Sequence, residues 1–255
     1  MGPSTLRHGE LAVLLLQPAQ VTTGTTSFTG KNLLLILAMI KVKICGITNL
    51  DDALAAISFG ADAVGFLVGQ VHYSTSSFML PERVAKIVAR LPPFCSTVLV
   101  THLSRPEQVI RVLRIANVTT LQLHGDTTPA EAIEIKNQFP FLKAYKVIHV
   151  SDDSAIQEVS RYVGFADGII LDTAIKATGQ VGGTGRTHDW RLSEKIARST
   201  TLPVILAGGL NPENISEAVR TVQPYGVDAN SGVSNPNGTK DHEKLGLFIA
   251  RAKSQ

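Results

Sequence analysis

The stretch KVKICGITNLDDALAAISFGA, residues 41–61, holds a complete strand-and-helix unit. VKICGI (42–47) is a short apolar run typical of a strand. The apolar residues that follow fall on one face of a helix: Leu50, Ala53, Leu54, Ile57 and Ala61. Asn49 stands before two acidic residues, as an N-cap residue does. The stretch therefore predicts a strand, a turn and an amphipathic helix.

The same unit recurs to the end of the chain. Seven more strand-like runs follow: AVGFLV (63–68), STVLVT (96–101), TTLQLH (119–124), KAYKVI (143–148), DGIILD (167–172), PVILAG (203–208) and GVDANS (226–231). Helical periodicity lies between them, with starts marked at Pro81 and Asn211. Such alternation implies parallel strands with right-handed crossovers, and eight units predict an α/β single-domain (β/α)8 TIM barrel. An open doubly wound sheet is the alternative, but no GxGxxG follows the first strand.

Residues 1–39 differ from this pattern. They mix a brief apolar run with a Thr-, Ser- and Gly-rich stretch, and no apolar face repeats. We expect a disordered N-terminal extension over 1–39, with Met39 as the natural start of translation, and a barrel domain over 40–255. The apolar block KNLLLILAMI is shorter than the roughly 20 residues of a membrane-spanning helix, so we expect no membrane insertion.

Composition limits the partners and the compartment. The net charge is +3 without runs of like charge, which argues against a nucleic-acid surface. The two cysteines, Cys45 and Cys95, show neither CxxC spacing nor a Cys/His ligand cluster. This pattern disfavours a disulfide framework or a zinc site and favours a reducing cytoplasm.

Polar side chains gather where the predicted strands end, which is where barrel enzymes place their sites. They are Cys45, Gln122, His124, Asp172 and Asp228. Three glycine-rich turns lie at the same end: GGTG with Gly182, Gly183 and Gly185, AGGL with Gly208 and Gly209, and NSG with Asn230, Ser231 and Gly232. Glycine lets backbone amides approach a ligand closely, and turns after strands seven and eight predict a phosphate site.

These motifs, in this order, resemble phosphoribosylanthranilate isomerase of tryptophan biosynthesis: KVKICGITNLDDAL, GADAVGF, LQLHG, IILDT, GGTGRTHDW, AGGLNPENI and YGVDANSGV with GTKDHEKL. The resemblance covers roughly residues 41 to 253. It implies an Amadori rearrangement of a phosphoribosyl amine, without metal or organic cofactor. It also implies that Cys45 is the general base and Asp172 the general acid. From their positions, Gln122, His124 and Asp228 are candidate substrate contacts; a structural role for Gln122 and His124, and the organisation of loop amides by Asp228, are the open alternatives. Either a monomer or a homodimer suits a barrel of this size.

The chain departs from the family in the loop after strand two. Family members carry there an arginine that pairs with the anthranilate carboxylate. This loop reads LVGQVHYSTSSFMLPE, without Lys or Arg, and Ser77 takes roughly the arginine's place. His72 or Arg105 are candidate replacements. Two alternatives therefore stay open: an isomerase of a different phosphoribosyl amine, and a non-catalytic phosphate-binding barrel.

Overall fold

The computed structural model describes residues 39–69, 77–175, 180–181 and 187–255, all within the unit Ala38–Gln255. Eight parallel strands are present in these residues: β1 (Lys41–Ile44), β2 (Ala63–Leu67), β3 (Ser96–Thr101), β4 (Thr120–Leu123), β5 (Lys143–Val150), β6 (Gly168–Ile175), β7 (Val204–Leu206) and β8 (Gly226–Ala229). A two-residue strand, Gln180–Val181, pairs antiparallel with the end of β6. The predicted extension over 1–39 lies, except for Met39, outside the described residues.

Eight helices occur in the described part of the chain, one after each barrel strand: α1 (Leu50–Ser58), α2 (Pro81–Val88), α3 (Pro106–Ala116), α4 (Pro129–Gln138), α5 (Ser154–Ser160), α6 (Trp190–Ser199), α7 (Ile215–Val222) and α8 (His242–Lys253). None of the helices found in these residues has the length and apolar character that crossing a membrane requires. Their starts follow the sequence signals closely. Asn49 caps α1 by accepting from the Asp52 amide, and α2 begins at Pro81.

One helix start differs from the sequence prediction. Asn211 accepts hydrogen bonds from the amides of Glu213 and Asn214, so it does act as a cap. The residues that it caps form a turn, however, and the regular helix α7 begins only at Ile215.

The strands form a closed ring. Each strand pairs parallel with the next, β1 pairs with β8, and the pairing of β5 with β6 completes the ring between its two halves. This closure confirms the TIM barrel and excludes the open sheet. In such a ring all strand C-termini lie at one end, so the side chains that follow the strands share one face.

Alternation along the strands separates two apolar layers. Val98 and Val100 of β3 pack inside the ring with Leu67 and Cys45, while Val147, Ile170, Ile205 and Ala207 form a second inner cluster. Residues of the opposite parity, such as Leu99, Ile148 and Leu171, pack in the outer cluster together with helix residues such as Ile135 and Phe248. Because side chains alternate with a period of two, these clusters identify the parity that points into the barrel.

Candidate active site

Cys45 directly follows β1 and is buried, with 7% of its surface exposed. Its backbone amide donates to the Ala229 carbonyl of β8 at 2.8 Å, which fixes the strand end. Lys43 lies two residues earlier and therefore points to the same side. A Cβ placed on Gly65 of β2 would lie 3.1 Å from Lys43 Nζ and 3.2 Å from Cys45 Sγ, so a glycine there leaves room for both side chains.

Lys43 links the thiol to a carboxylate. Its Nζ donates to Asp228 Oδ2 at 2.7 Å, and both side chains are buried. Burial alone would lower the pKa of Lys43, but the charge and hydrogen bond of Asp228, with a further contribution from Cys45, raise it above its ordinary value. The ammonium is therefore charged at neutral pH. Asp228 Oδ1 has no hydrogen-bond partner in the described residues, so that oxygen can accept from a ligand.

The pKa of Cys45 is raised by burial, which outweighs the opposing effect of the Lys43 and Lys240 ammonium groups; Asp228 adds to the rise. Cys45 is therefore a thiol, rather than a thiolate, in the ligand-free site at neutral pH. The nearby cations do stabilise a thiolate once it forms, because they lie on the same side of the barrel and their charge is poorly screened there.

Asp172 lies in β6 and is almost fully buried. Its Oδ1 accepts from the Thr173 amide at 2.7 Å, and its Oδ2 lies 3.4 Å from Nε2 of His124. Burial acts to raise the pKa of Asp172, but the hydrogen bond and charge of His124 and the Thr173 amide lower it below its ordinary value. The free site therefore holds Asp172 as a carboxylate.

Three histidines form a row beside Asp172. The rings of His102 and His124 are stacked with centroids 4.4 Å apart, and His124 and His149 are tilted at 5.3 Å. Burial, with His124 contributing, lowers the pKa of His149 to about 4, so that ring is neutral. Among the residues that the structure describes, no three His, Cys, Asp or Glu side chains are arranged to hold a metal ion.

Gln122 completes this part of the inner face. It lies in β4, is 3% exposed, and its buried Oε1 has no hydrogen-bond partner among the described residues. His124 follows two residues later and points to the same side. The structure thus brings together Cys45, Gln122, His124, Asp172 and Asp228, the five polar residues selected from the sequence.

The turns after β7 and β8 contact each other and the end of β6. Gly208 and Gly209 have φ of +82° and +66°, a region that side chains rarely adopt. A Cβ on Gly208 would collide with Thr173 Oγ1, and one on Gly232 would collide with the Leu210 carbonyl. These glycines therefore allow three loops to pack closely. Gly182, Gly183 and Gly185 of the predicted phosphate site lie outside the described residues.

Asn230 is held by a lysine from farther along the chain. Lys240 Nζ donates to Asn230 Oδ1 at 3.0 Å and to Ser234 Oγ at 2.8 Å, while Ser231 begins a short 3-10 helix and is exposed. Lys240 is 3% exposed, and burial lowers its pKa to about 8. Because this pKa is still above neutral pH, Lys240 is mostly protonated and adds positive charge next to the turn after β8.

Sequence reasoning missed Lys43 and Lys240. A signal for Lys43 was present, because it stands two residues before Cys45 in an otherwise apolar strand and must share its side of the sheet. No comparable signal marks Lys240, whose contact with Asn230 depends on the path of the loop between β8 and α8.

The sequence named His72 and Arg105 as candidate cations for an aromatic carboxylate, in a chain where Ser77 takes roughly the place of the family's arginine. Arg105 is exposed and lies 3.8 Å from Glu107, on the surface near the start of α3. Ser77 is buried beside Phe78, which bridges to Leu67 at the end of β2. His72 lies outside the described residues.

Comparison with known proteins agrees with this geometry. A family model described as N-(5'phosphoribosyl)anthranilate (PRA) isomerase matches residues 42–251. N-(5'-phosphoribosyl)anthranilate isomerase 2 of Methanosarcina mazei is 43% identical over 214 residues, which is 84% of this chain and 94% of the relative. The isomerase of Halobacterium salinarum is 38% identical over 215 residues, 84% of this chain and 96% of its own.

Solved structures give the same result. The crystal structure of phosphoribosyl anthranilate isomerase from Thermotoga maritima superposes with a TM-score of 0.75 at 35% identity, covering 85% of this chain and 100% of that one. A crystal structure of the isomerase in complex with reduced 1-(o-carboxyphenylamino)-1-deoxyribulose 5-phosphate superposes with a TM-score of 0.73 at 34% identity, with the same coverage. This chain belongs to the phosphoribosylanthranilate isomerase family.

Proposed function

We propose that this member of the family catalyses the Amadori rearrangement of N-(5-phosphoribosyl)anthranilate to 1-(2-carboxyphenylamino)-1-deoxyribulose 5-phosphate in tryptophan biosynthesis. The observation that carries the proposal is the meeting of Cys45, Asp172 and two glycine turns at one end of the barrel. The reaction needs a general acid, a general base and an anchor for phosphate. These elements supply all three.

Asp172 is the general acid in this mechanism. Its carboxyl group gives a proton to the furanose ring oxygen, the bond from that oxygen to the anomeric carbon breaks, and a protonated Schiff base forms. The cationic nitrogen acidifies the adjacent carbon, and Cys45 thiolate removes the proton from it. The resulting enolamine tautomerises to the ketone, and no bond to the protein forms.

In the ligand-free site, Asp172 and Cys45 have the protonation states that the two proton transfers of the reaction leave behind. Asp172 is a carboxylate and Cys45 is a thiol, because His124 lowers the pKa of the acid and burial raises the pKa of the thiol. The active state has the thiolate and the carboxylic acid, and so it carries the same number of protons. One proton must therefore move from the Cys45 side of the site to Asp172 before each turnover.

Phosphate is assigned to the turns after β7 and β8. Gly208, Gly209 and Gly232 keep that surface free of Cβ atoms, and buried Lys240 adds a positive charge below Asn230. We include Ser231 and the GGTG turn in the same site because they follow strands that end at this face. Gln122 and Asp228 have buried oxygens that lack partners within the described residues, and they suit the ribose hydroxyls.

Rescue of a tryptophan auxotroph that lacks this isomerase tests the proposal. Growth without tryptophan, lost on Asp172→Asn, supports it. Failure of the folded, soluble protein to restore growth would favour an isomerase of a different phosphoribosyl amine. Phosphate-dependent thermal stabilisation without turnover of any such amine would favour a non-catalytic barrel.

We also propose that the protein acts in the cytoplasm as a homodimer. Both cysteines are free, in keeping with a reducing compartment. Phe94 and Phe141 are fully exposed and precede β3 and β5, so both lie at the end of the barrel opposite the active site. A solved structure of monomers generated from the dimeric isomerase of Thermotoga maritima superposes on this chain with a TM-score of 0.72, so that relative is dimeric in its original form.

A further inference from the structure

We propose that His102 is the residue that recognises the carboxylate of the aromatic amine. The inference rests on the proposed function, because only the phosphoribosyl substrate defines which end of the ligand carries this group. A related isomerase was solved in complex with reduced 1-(o-carboxyphenylamino)-1-deoxyribulose 5-phosphate, a ligand that carries a carboxylate on its aromatic ring. This chain therefore needs a donor for an aromatic carboxylate at the end of the site farthest from phosphate.

The ring of strands locates that end. The phosphate turns follow β7 and β8, and in the closed order of eight strands the positions four steps away are β3 and β4. His102 is the first residue after β3, and His124 is the first residue after β4. A ligand that spans the mouth of the barrel from the phosphate turns thus ends at these two histidines.

His102 points toward the substrate side. Val98 and Val100 of β3 pack inside the barrel, and His102 follows with the same parity. Its ring stacks on that of His124 with centroids 4.4 Å apart, and His124 Nε2 lies 3.4 Å from Asp172. His102 is therefore one ring farther from the general acid than His124 is.

This separation fits the substrate. Five bonds connect the furanose oxygen, which takes the proton from Asp172, to the carboxylate carbon of the anthranilate. With bonds of about 1.5 Å and ordinary angles, they span roughly 5–6 Å. The carboxylate would then reach the His102 ring while the furanose oxygen lies at Asp172. Phe78, 6.4 Å from His102 between centroids, offers an apolar wall for the aromatic ring.

Three other cationic side chains in the described residues are less well placed to bind the aromatic carboxylate. Arg105 is exposed on the surface and lies near Glu107. Lys146 has the opposite parity in β5: it donates to the Gly125 carbonyl at 2.5 Å and lies 5.6 Å from the Tyr162 ring, toward the helix layer. Lys43 is paired with Asp228 at the end of the site that holds the base.

The test compares two ligands that differ only in the carboxylate. Reduced 1-(o-carboxyphenylamino)-1-deoxyribulose 5-phosphate and its phenylamino analogue are titrated calorimetrically into the wild-type protein, His102→Ala, His102→Gln and Arg105→Ala. A hydrogen bond to a charged group corresponds to about 10- to 100-fold in affinity. We expect His102→Ala to lose that factor for the carboxylated ligand and to keep its affinity for the analogue.

The variants separate binding from structure. His102→Gln keeps a neutral donor, so we expect a smaller loss, and it serves if the alanine variant fails to fold; Arg105→Ala should match the wild type for both ligands. Equal losses for the two ligands, or no loss, in whichever His102 variants fold would overturn the assignment. A wild-type protein that neither binds the carboxylated ligand nor converts the substrate would instead overturn the proposed function itself.

Discussion

Lys43 and Asp228 form a charged pair that is buried in the barrel. Two charges removed from water are tolerated because each supplies the other's partner, at 2.7 Å. Removing one partner of such a pair usually costs about 3–5 kcal/mol, since the other charge stays buried alone. The pair therefore couples the stability of the barrel to the arrangement around Cys45.

Lys43→Met should lower the free energy of unfolding by about 3–5 kcal/mol, measured by urea denaturation. Lys41→Met is the matched control, because Lys41 lies two residues earlier on β1, is nearly half exposed, and lies 3.4 Å from Asp62. For such an exposed pair we expect a change of no more than about 1 kcal/mol. Equal effects of the two substitutions would show that burial of the Lys43 pair does not determine its contribution.

The pH dependence of the rate follows from the protonation states of Cys45 and Asp172. The resting and active states carry the same number of protons, so the fraction of active enzyme does not change with pH between the two pKa values. The pKa of Asp172 lies below its ordinary 3.8 and that of Cys45 above its ordinary 9.0. We therefore expect kcat/KM to be flat from about pH 6.5 to 7.5, above the phosphate ionisation near 6 and below the pKa of Lys240, which burial lowers to about 8.

Asp172→Asn provides the internal check on this pH profile. Without the titrating acid, the residual rate depends only on the Cys45 thiolate, whose fraction grows about tenfold for each pH unit below the thiol pKa. The variant's kcat/KM should therefore rise across the range in which the wild type is flat. A wild-type profile that already rises tenfold per unit would mean that Asp172 need not be protonated.

The glycine turns after β7 and β8 pack directly against each other, so a change in one of them displaces the other. Gly232→Ala would force the turn after β8 away from the Leu210 carbonyl of the turn after β7. We expect weaker competitive inhibition by inorganic phosphate, with Ki raised about tenfold, the equivalent of one lost hydrogen bond of ~1–1.5 kcal/mol. Gly246→Ala in helix α8 is the control: its added Cβ would make only an ordinary 3.4 Å contact with the ring of Phe59. An unchanged Ki in Gly232→Ala would remove this turn from the phosphate site.

The sequence was informative about elements because each signal is local. The apolar runs, the Asn49 cap and Pro81 marked strands and helix starts, and the repetition of the unit predicted the closed barrel. The five polar residues were found because strand C-termini meet at one end of a parallel barrel. Contacts that depend on loop paths were not accessible, which is why Lys240 was missed. The stack of His102 on His124 depends on the relative position of two strands, and no pattern within either strand specifies it.

At the scale of the whole molecule, the two ends of the barrel have different surfaces. The end of the barrel at which the strands finish holds the polar and glycine-rich site. At the opposite end, Phe94 and Phe141 are exposed. Phe94 also has a positive φ of 68°, which is unfavourable for a bulky residue. An exposed ring on a strained backbone suits a surface that is covered by a second copy.

Phe94→Glu should convert the proposed homodimer into a monomer, because a charge placed in an apolar contact is left without a partner. Sedimentation velocity measures the change, and kcat/KM should stay within about twofold since the active site lies at the other end of the barrel. Lys86→Glu, a charge change on helix α2, is a control that should leave the dimer intact. A wild-type protein that sediments as a monomer would contradict the proposed assembly.

Steady-state turnover of N-(5-phosphoribosyl)anthranilate by the purified protein and its Cys45→Ala and Asp172→Asn variants tests the central claim most directly. We predict conversion by the wild type and losses in kcat of about 10²- to 10⁴-fold in each variant, the usual contribution of a general acid or base. Cys95→Ala, which removes the other free cysteine, should keep full activity. Folded Cys45 and Asp172 variants that retain nearly the wild-type rate, or a wild type without turnover, would contradict the account.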